Sequence, residues 1–250
     1  MNWKVGCSGF YYPEWREVFY PKGIPARKWF EYYCWHFNTV ELNGTFYRTP
    51  KISQLKAWHD RSPEEFRFSV KAPRLITHYK KFANVHSDVT DFYALITEGL
   101  GEKLACVLFQ LPPSFAFSNE HLDNIIGAVD PAYHNVFEFR HRSWWQQPVY
   151  DVLQEHNITF CSISHPSLPG DVIRTSDLLY YRFHGVPELY KSSYSEDELE
   201  KILQDILSKH AGQNYLYFNN TMQGTAIGNI AVLKNQLNDL SALSTFDQPG

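Results

Sequence analysis

Short apolar stretches alternate with helix-like stretches along this chain, and this alternation leaves few folds open. The apolar stretches have the length and residue types of buried strands, and the stretches between them show helical periodicity or helix-start signals. Strands are predicted at residues 5–9, 38–42, 66–70, 104–111, 135–140, 158–163, 179–184 and 215–219. Helices are predicted at residues 25–35, 53–61, 88–98, 148–156, 196–209 and 225–237, with another beginning at Ser118. Residues 164–177, rich in Pro, Ser and Gly, predict a loop.

Eight strands that alternate with helices predict a parallel sheet with right-handed crossovers. Eight is also the number of strands that closes a (β/α)8 barrel, and 250 residues suit such a barrel as one domain. An open doubly wound sheet is the alternative, but Gly6, Gly9 and Gly44 do not form the Gly-x-Gly-x-x-Gly spacing that is typical after its first strand. We therefore predict a single α/β domain, a TIM-type barrel over residues 1–250.

Charge and apolar patterning disfavour several classes of protein. A net charge of -4 and a pI near 6.2 oppose a surface devoted entirely to nucleic acid, although a local basic patch remains open. No apolar stretch approaches the roughly 20 residues that span a bilayer, so no membrane association is predicted. The four cysteines are widely spaced without a Cys-x-x-Cys, which indicates buried, reduced thiols. The N-terminus lacks a signal-peptide pattern, so a cytoplasmic location is expected.

Polar side chains stand at or just after the ends of the predicted strands. In a barrel these ends meet at one face, where the active sites of TIM-barrel enzymes lie. The residues at these positions are Ser8, Glu41, Asn43, Tyr47, Arg48, Lys71, His78, Gln110, Glu138, Arg140, His141, Ser162, Ser164, His165, Arg182, His184, Asn219 and Asn220. Their convergence predicts a polar, arginine-rich pocket at the C-terminal face.

The densest group of these residues lies at positions 138–142, with a carboxylate, two guanidiniums and an imidazole. On a strand, Glu138 and Arg140 share one face because side chains alternate. A charged pair among apolar neighbours costs desolvation energy unless it is paired or opens into a pocket, so we interpret it as the floor of a site. Trp144 follows closely and is interpreted as core packing or a pocket wall, with packing favoured.

The same residues also admit a purely structural interpretation. Glu138 with Arg140, and Glu41 with Asn43, would then each belong to a buried polar network. Arg182 or Lys71 would be a neighbour of the first pair, and Lys71 would join Glu41 and Asn43 in the second network. His184 would be a core imidazole bonded to a carbonyl group. Both interpretations remain open from the sequence.

Several motifs, in order along nearly the whole chain, resemble the YecE-like family. They are GCSGFY at residues 6–11, FYP at 19–21, TVELNGTFYR at 39–48, ITH at 76–78, QLPP at 110–113, EFRHRSW at 138–144, RFHG at 182–185 and YFNN at 217–220. This bacterial and archaeal family is classed as a domain of unknown function. The resemblance implies a TIM-type barrel and supplies no activity or catalytic roles. Cys7 differs from the Thr that the resemblance leads us to expect, and both residues are small.

The first of three compatible functions is an acid/base enzyme for a small anionic substrate, a class that includes phosphorylated compounds. Glu41 or Glu138 would act as general acid or base, with His184 as partner. The substrate-binding residues of this hypothesis are Asn43, Tyr47, Arg48, Lys71, His78, Gln110, Arg140, His141, Trp144, Arg182, Asn219 and Asn220. A glycosidase is disfavoured because the two glutamates lie on the second and fifth strands, on opposing sides of the ring.

The second function is a metal-dependent phosphodiesterase or isomerase of the repair-endonuclease barrel type, whose ligands would come from Glu41, Glu138, His141 and His184. The chain has no His-x-His or His-Glu-x-x-His motif, so no metal site and no cofactor are predicted. The third function is binding of nucleic acid or another polyanion by the basic segment at residues 67–81. The negative net charge favours a solvated loop for that segment.

Overall fold

A computed structural model of the protein describes the chain through residue 246, and its side chains through residue 240. The strands are β1 (Asn2–Cys7), β2 (Thr39–Leu42), β3 (Arg67–Lys71), β4 (Leu104–Gln110), β5 (Asn135–Glu138), β6 (Thr159–Ser164), β7 (Leu178–Phe183) and β8 (Gln213–Phe218). They form one sheet in the order β1-β8-β7-β6-β5-β4-β3-β2, with every neighbouring pair parallel. The sheet curls into a nearly closed barrel, which confirms the predicted TIM-type fold.

Within the described chain, helices follow every strand except β6 and cover the outside of the barrel. They are α1 (Trp29–His36), α2 (Gly44–Tyr47), α3 (Ile52–Arg61), α4 (His86–Leu100), α5 (Asn119–Ala128), α6 (Gln147–Glu155), α7 (Glu196–Leu207) and α8 (Thr225–Phe246). Neither α2 nor a π-helical turn at Leu75–Tyr79 was predicted, because neither is long enough to show a helical period in the sequence. Residues 165–177 contain no helix or strand, as predicted.

Several predicted ends were wrong, and local backbone chemistry explains the larger errors. The first strand ends at Cys7 rather than at residue 9, because Gly9 has a φ of 107° that stops the extended run. The helix predicted from residue 25 begins at Trp29, after a 3-10 turn at Ala26–Lys28 whose N-cap, Pro25, is extended. The fifth strand ends at Glu138, so the predicted strand residue at position 140 lies in the following loop. The last helix passes residue 237, and no Pro or Gly lies between residues 237 and 246 to stop it.

Two apolar layers hold the barrel together. The outer layer joins the strands to the helices, and it includes most of the buried aromatic rings. The inner layer fills the barrel with smaller side chains and three tyrosines, Tyr180, Tyr215 and Tyr217. The hydroxyl of Tyr217, on β8, shares hydrogen bonds with Ser69 on β3 at 2.8 Å and with Thr39 on β2 at 2.5 Å. The lumen is therefore a packed core that becomes polar toward one side, rather than a pore.

Two side chains close the seam between β1 and β2. Within the described chain no backbone ladder joins these strands. The Tyr33 hydroxyl accepts a hydrogen bond from the Cys7 amide at 2.7 Å and donates one to the Thr39 carbonyl at 3.0 Å. The Asn38 side chain accepts from the Val5 amide at 3.1 Å and donates to the Trp3 carbonyl at 2.9 Å. Side-chain groups thus replace a missing backbone ladder at this point.

We expect Tyr33→Phe to lower the free energy of unfolding by about 1–2 kcal/mol, because it leaves a buried amide and a buried carbonyl at the seam without this partner. Urea denaturation followed by circular dichroism measures the loss. Tyr32→Phe is the matched control, since no hydrogen bond of the Tyr32 hydroxyl is present in the described chain, and it should change stability by less than about 0.5 kcal/mol. Equal losses in the two variants would contradict the assignment of Tyr33 to the seam.

All four cysteines are free and buried, as predicted. Burial raises the pKa of each thiol above its ordinary value, so none of them is an activated nucleophile. Among the helices of the described chain, none has the length and apolar character to cross a membrane.

Candidate functional site

One arginine spans the C-terminal half of the barrel and joins two carboxylates. Arg182, near the end of β7, is 1% exposed. Its Nη2 lies 2.6 Å from Oε1 of Glu41 on β2, and its Nη1 donates to Oε2 of Glu138 on β5. Burial alone would lower the pKa of Arg182, but the two carboxylates hold this pKa above its usual value. The two glutamates, which the sequence analysis assigned to separate networks, therefore belong to one network with Arg182 at its centre.

Glu41 has no oxygen left without a donor. Oε1 accepts hydrogen bonds from Arg182 and from the Ser8 hydroxyl at 2.7 Å, and Oε2 accepts one from the Tyr180 hydroxyl at 2.7 Å. These donors come from β7 and from the residue that follows β1, so the parallel register brings them to one level of the lumen. Asn43 and Lys71 are not hydrogen-bond partners of Glu41, in contrast to the second network considered from the sequence.

Glu138 is surrounded by cationic and imidazole groups. It accepts from Arg182 and from Nε of Arg140, and Nε2 of His184 lies 3.3 Å from its Oε1. Burial alone would raise the pKa of Glu138, yet Arg140 and Arg182 hold this pKa well below its usual range. The carboxylate is therefore ionised, and it forms ion pairs with two guanidinium groups.

His184 is fully buried and neutral. Burial, reinforced by the charge of Arg140, holds its pKa well below the ordinary value. Its Nδ1 lies 2.9 Å from Nδ2 of Asn219, and its Nε2 lies 3.0 Å from Nη2 of Arg140. These contacts fix the ring between β7 and β8 at the edge of the ion-pair network. The sequence-based interpretation of His184 as an imidazole bonded to a carbonyl group is wrong, because its two ring nitrogens contact the side chains of Asn219 and Arg140 instead.

Lys71 is the one cation of this group that lacks a carboxylate within ion-pair distance in the described chain. It ends β3, and its ammonium donates to Oε1 of Gln110 at 2.9 Å and lies 4.2 Å from the ring centroid of Phe46. Burial, with the charge of Arg182 added, lowers the pKa of Lys71 to about 8. The lysine is thus desolvated and held by neutral groups.

Two more imidazoles stand near this cluster in their neutral forms. Burial and the charge of Lys71 lower the pKa of His78 to about 4, and burial and the charge of Arg140 lower the pKa of His165 to about 4. The ring of His78 lies 4.9 Å from that of Phe46. Because the charges of Arg140 and Arg182 offset those of the two glutamates, Lys71 gives the mouth of the barrel an excess of positive charge.

A cavity opens beside this cluster rather than over it. It has a volume of about 610 Å³ and lies above β1 and β2, between the loop after β1 and helices α2 and α3. Asn43 and Arg48 line this cavity, and so does Ser8, which also contacts Glu41. The arginines of the ion-pair network do not line it. The expected arginine-rich pocket is therefore divided into a charged cluster and a neighbouring cavity.

The remaining predicted site residues lie away from the charged cluster. Trp144 is fully buried, stacks on Phe139 at 4.0 Å, and donates its indole N–H to a backbone carbonyl, so it packs in the core. His141 bonds Ser143, and Asn220 donates to the Ser192 carbonyl and to Asn229. Tyr47 is 70% exposed on the outer rim. Tyr180 belongs to the charged cluster but was not predicted from the sequence, although it lies two residues before Arg182 and so shares its strand face.

The basic segment predicted to bind polyanions is divided between two ends of the barrel. Arg67 begins β3 and bonds backbone carbonyls at that end, and Lys80 pairs with Asp88 at 2.7 Å. Arg74 lies 5.4 Å from the ring centroid of Tyr79 on the exposed rim. Within the described chain, no three His, Cys, Asp or Glu side chains form a group that could hold a metal ion, so the metal-dependent alternative has no ligand set there.

The fold and this mouth define an α/β barrel protein whose polar site lies at the C-terminal ends of its strands. The family model described as "Protein of unknown function DUF72" matches residues 4–249. The chain belongs to this family, and the resemblance to YecE-like proteins is confirmed.

Relatives agree with this assignment. UPF0759 protein YunF of Bacillus subtilis is 28% identical over 255 residues, which cover 84% of this chain and 86% of that protein. UPF0759 protein YecE of Escherichia coli is 30% identical over 111 residues, or 44% of this chain and 38% of that protein. Among solved structures, the DUF72 family protein TM1631 of Thermotoga maritima has a TM-score of 0.84 at 32% identity, over 94% of this chain and 98% of that one. EF0366 of Enterococcus faecalis, with a TM-score of 0.80 at 20% identity over 94% and 95%, supports the fold alone.

Proposed function

We propose that the protein is an enzyme that binds a small anionic substrate at the C-terminal mouth and transfers a proton to it from Lys71. The observation that carries this proposal is the position of Lys71, a desolvated ammonium without a carboxylate partner in the described chain, beside a network whose own charges cancel. A carboxylate or phosphate group on a substrate would supply the missing counter-charge.

Acid/base chemistry suits Lys71 better than the groups expected from the sequence. The oxygens of Glu41 and Glu138 already accept hydrogen bonds from other side chains, so neither faces a substrate with an unoccupied oxygen. With a pKa of about 8, the Lys71 ammonium is a stronger acid than an ordinary lysine and is still mostly protonated at neutral pH. The roles proposed for the two glutamates are to hold Arg182 and Arg140 in place.

In the proposed step, the substrate anion pairs with Lys71, and Gln110 orients the ammonium by accepting one of its hydrogen bonds. A proton then moves from Nζ to a substrate oxygen, which leaves a neutral amine that solvent reprotonates. His184 takes part as a positioning residue, since its contacts with Arg140 and Asn219 fix that edge of the mouth. A neutral imidazole there adds no charge that would compete with Lys71 for the anion.

Sulfate tests the anion site without titrating itself between pH 7 and 9. We expect sulfate to bind the protonated ammonium. The affinity of the protein for sulfate should therefore fall about tenfold from pH 7 to pH 9, because Lys71 in the sulfate-free protein has a pKa of about 8 and loses its proton over this range. Isothermal titration calorimetry at constant ionic strength measures this dependence. Lys71→Met should weaken sulfate binding at pH 7 about tenfold and abolish the pH dependence.

Lys56→Met is the control for the Lys71 variant. Lys56 is exposed on α3 and pairs with Glu98 at 3.2 Å, so its removal changes the net charge equally without touching the mouth. Sulfate affinity should then be unchanged within twofold. A sulfate affinity of the wild type that does not depend on pH, or a pH dependence that survives Lys71→Met, would contradict the proposal.

A further inference from the structure

The cavity above β1 and β2 contains polar groups that the protein itself does not use. The side-chain oxygen of Asn43 is buried and has no hydrogen-bond donor in the described chain. Arg48 and Lys51 also line the cavity, and neither forms an ion pair or a side-chain hydrogen bond with a described residue. An unsatisfied buried acceptor costs free energy, and it points to a group supplied from outside the chain.

The charge of the cavity lining is one-sided. Among the described residues that line it are two cationic side chains, Arg48 and Lys51, and no aspartate or glutamate. The nearest carboxylate of the ion-pair network, Glu41, is separated from the cavity by Ser8 and is neutralised by Arg182. The cavity therefore favours an anion by its own charges, independently of Lys71.

Aromatic rings form an apolar part of the cavity wall. Phe10 and Trp58 meet edge to face with their centroids 6.0 Å apart, and Tyr12 packs on Trp15 at 4.7 Å. The hydroxyl of Tyr12 donates to the Ser8 carbonyl, which fixes the loop after β1. This fold-back needs Gly9, whose φ is 107° and whose Cβ, if present, would lie 2.8 Å from the Tyr12 hydroxyl oxygen. The wall is thus formed before any ligand binds.

We propose that this cavity is a second binding site, for an aromatic organic anion that also carries an N–H or O–H donor. Its rings would pack against Phe10 and Trp58, its carboxylate, sulfonate or phosphate would pair with Arg48 and Lys51, and its donor would satisfy Asn43. A volume of about 610 Å³ accommodates a ligand of two or three rings. The site stands apart from the proposed function, because none of these residues belongs to the Lys71 site.

Anilinonaphthalenesulfonate is a suitable probe, because it combines fused aromatic rings, an N–H group and a sulfonate, and its fluorescence rises on transfer out of water. We expect saturable binding at one site. The double variant Arg48→Met, Lys51→Met should weaken this binding at least about tenfold through loss of two charge-assisted contacts. N-phenylnaphthylamine, the same molecule without the sulfonate, should bind the variant and the wild type within twofold of each other.

Three further variants test whether the probe binds in this cavity and nowhere else on the protein. Arg27→Met with Lys201→Met removes one exposed arginine and one exposed lysine elsewhere, and it should leave the affinity unchanged. Asn43→Asp should weaken binding of anilinonaphthalenesulfonate and leave binding of N-phenylnaphthylamine unchanged. Lys71→Met should change neither affinity, whatever it does to sulfate binding at the mouth. The proposal would be overturned if the two double variants lost affinity for anilinonaphthalenesulfonate equally, or if Lys71→Met lost that affinity. It would also be overturned if the wild type showed no saturable binding of the probe.

Discussion

Replacing Arg182 by methionine is expected to lower the free energy of unfolding by about 3–5 kcal/mol at neutral pH. Within the described chain, the variant leaves Glu41 in the core without the one cation that pairs with it, and it leaves Arg140 as the one remaining arginine paired with Glu138. Methionine fills much of the volume, so the loss reports mainly the two buried charges rather than a cavity. Urea denaturation at about pH 7.5 gives the value directly.

The pH dependence identifies the origin of that loss. In the wild type the pKa of Glu138 is depressed, so its stabilising contribution is present above the unfolded-state pKa and is lost as the pH falls through the folded-state pKa. In Arg182→Met the buried carboxylates destabilise the folded state when they are ionised, and their protonation removes this destabilisation. The difference between wild type and variant should therefore shrink as the pH falls toward about 5. A difference that stays constant with pH would mean that packing, not charge, causes it.

Arg140→Met provides the comparison within the same network. Arg140 is partly exposed, and its loss leaves Glu138 paired with Arg182. We expect a loss of about 1.5–3 kcal/mol, as for a hydrogen bond to a charged group. If Arg140→Met were the more damaging of the two variants, the central position of Arg182 in the network would be wrong.

The stability of this network and a function at the mouth are compatible. A buried ion-pair network adds little net stability compared with apolar packing, but it fixes the geometry of the groups that it joins. Here it uses both glutamates and two arginines, and it leaves Lys71 as the uncompensated group at the rim. The structural and functional interpretations of the sequence thus apply to different residues of one cluster.

Most of the fold could be predicted because local and global signals agree. Eight apolar stretches separated by helices specify the parallel barrel, and Ser195 with Glu198 forms the capping box that begins α7. Some errors fall where the backbone conformation of a single residue determines the end of an element, as Gly9 does for β1. Others fall where an element is four or five residues long, as in α2 and the π-helical turn. Those features depend on tertiary contacts rather than on periodicity.

It was easier to predict which residues lie at the mouth of the barrel than to predict which of them form ion pairs with one another. The rule that barrel strands present polar residues at their C-terminal ends is enough to collect Glu41, Lys71, Glu138 and Arg182 at one mouth. It does not say that Arg182 reaches both carboxylates, because that depends on side-chain reach across a lumen of fixed width. The separate cavity could not be foreseen either, because α2 and the loop after β1 build it.

The other large effect is expected at Gly6, in the middle of the seam between β1 and β2. A Cβ atom at this position would lie 2.2 Å from the Thr39 carbonyl oxygen and 2.9 Å from the Tyr33 hydroxyl oxygen. Backbone cannot yield as a flexible side chain does, so Gly6→Ala must push the two strands apart. The displacement also breaks the hydrogen bonds through which Tyr33 joins Cys7 to Thr39.

We expect Gly6→Ala to cost about 3 kcal/mol or more, as the sum of overpacking and of two lost buried hydrogen bonds. Gly127→Ala is the matched control, because Gly127 lies within α5 and an added Cβ meets no atom within 4 Å. That variant should be stabilised by about 0.5–1 kcal/mol, since alanine favours a helix. Thermal and urea denaturation of both variants measure these changes. If Gly6→Ala were as stable as the wild type, the strands at the seam would not be in close contact, and the side-chain closure of the barrel would have to be abandoned.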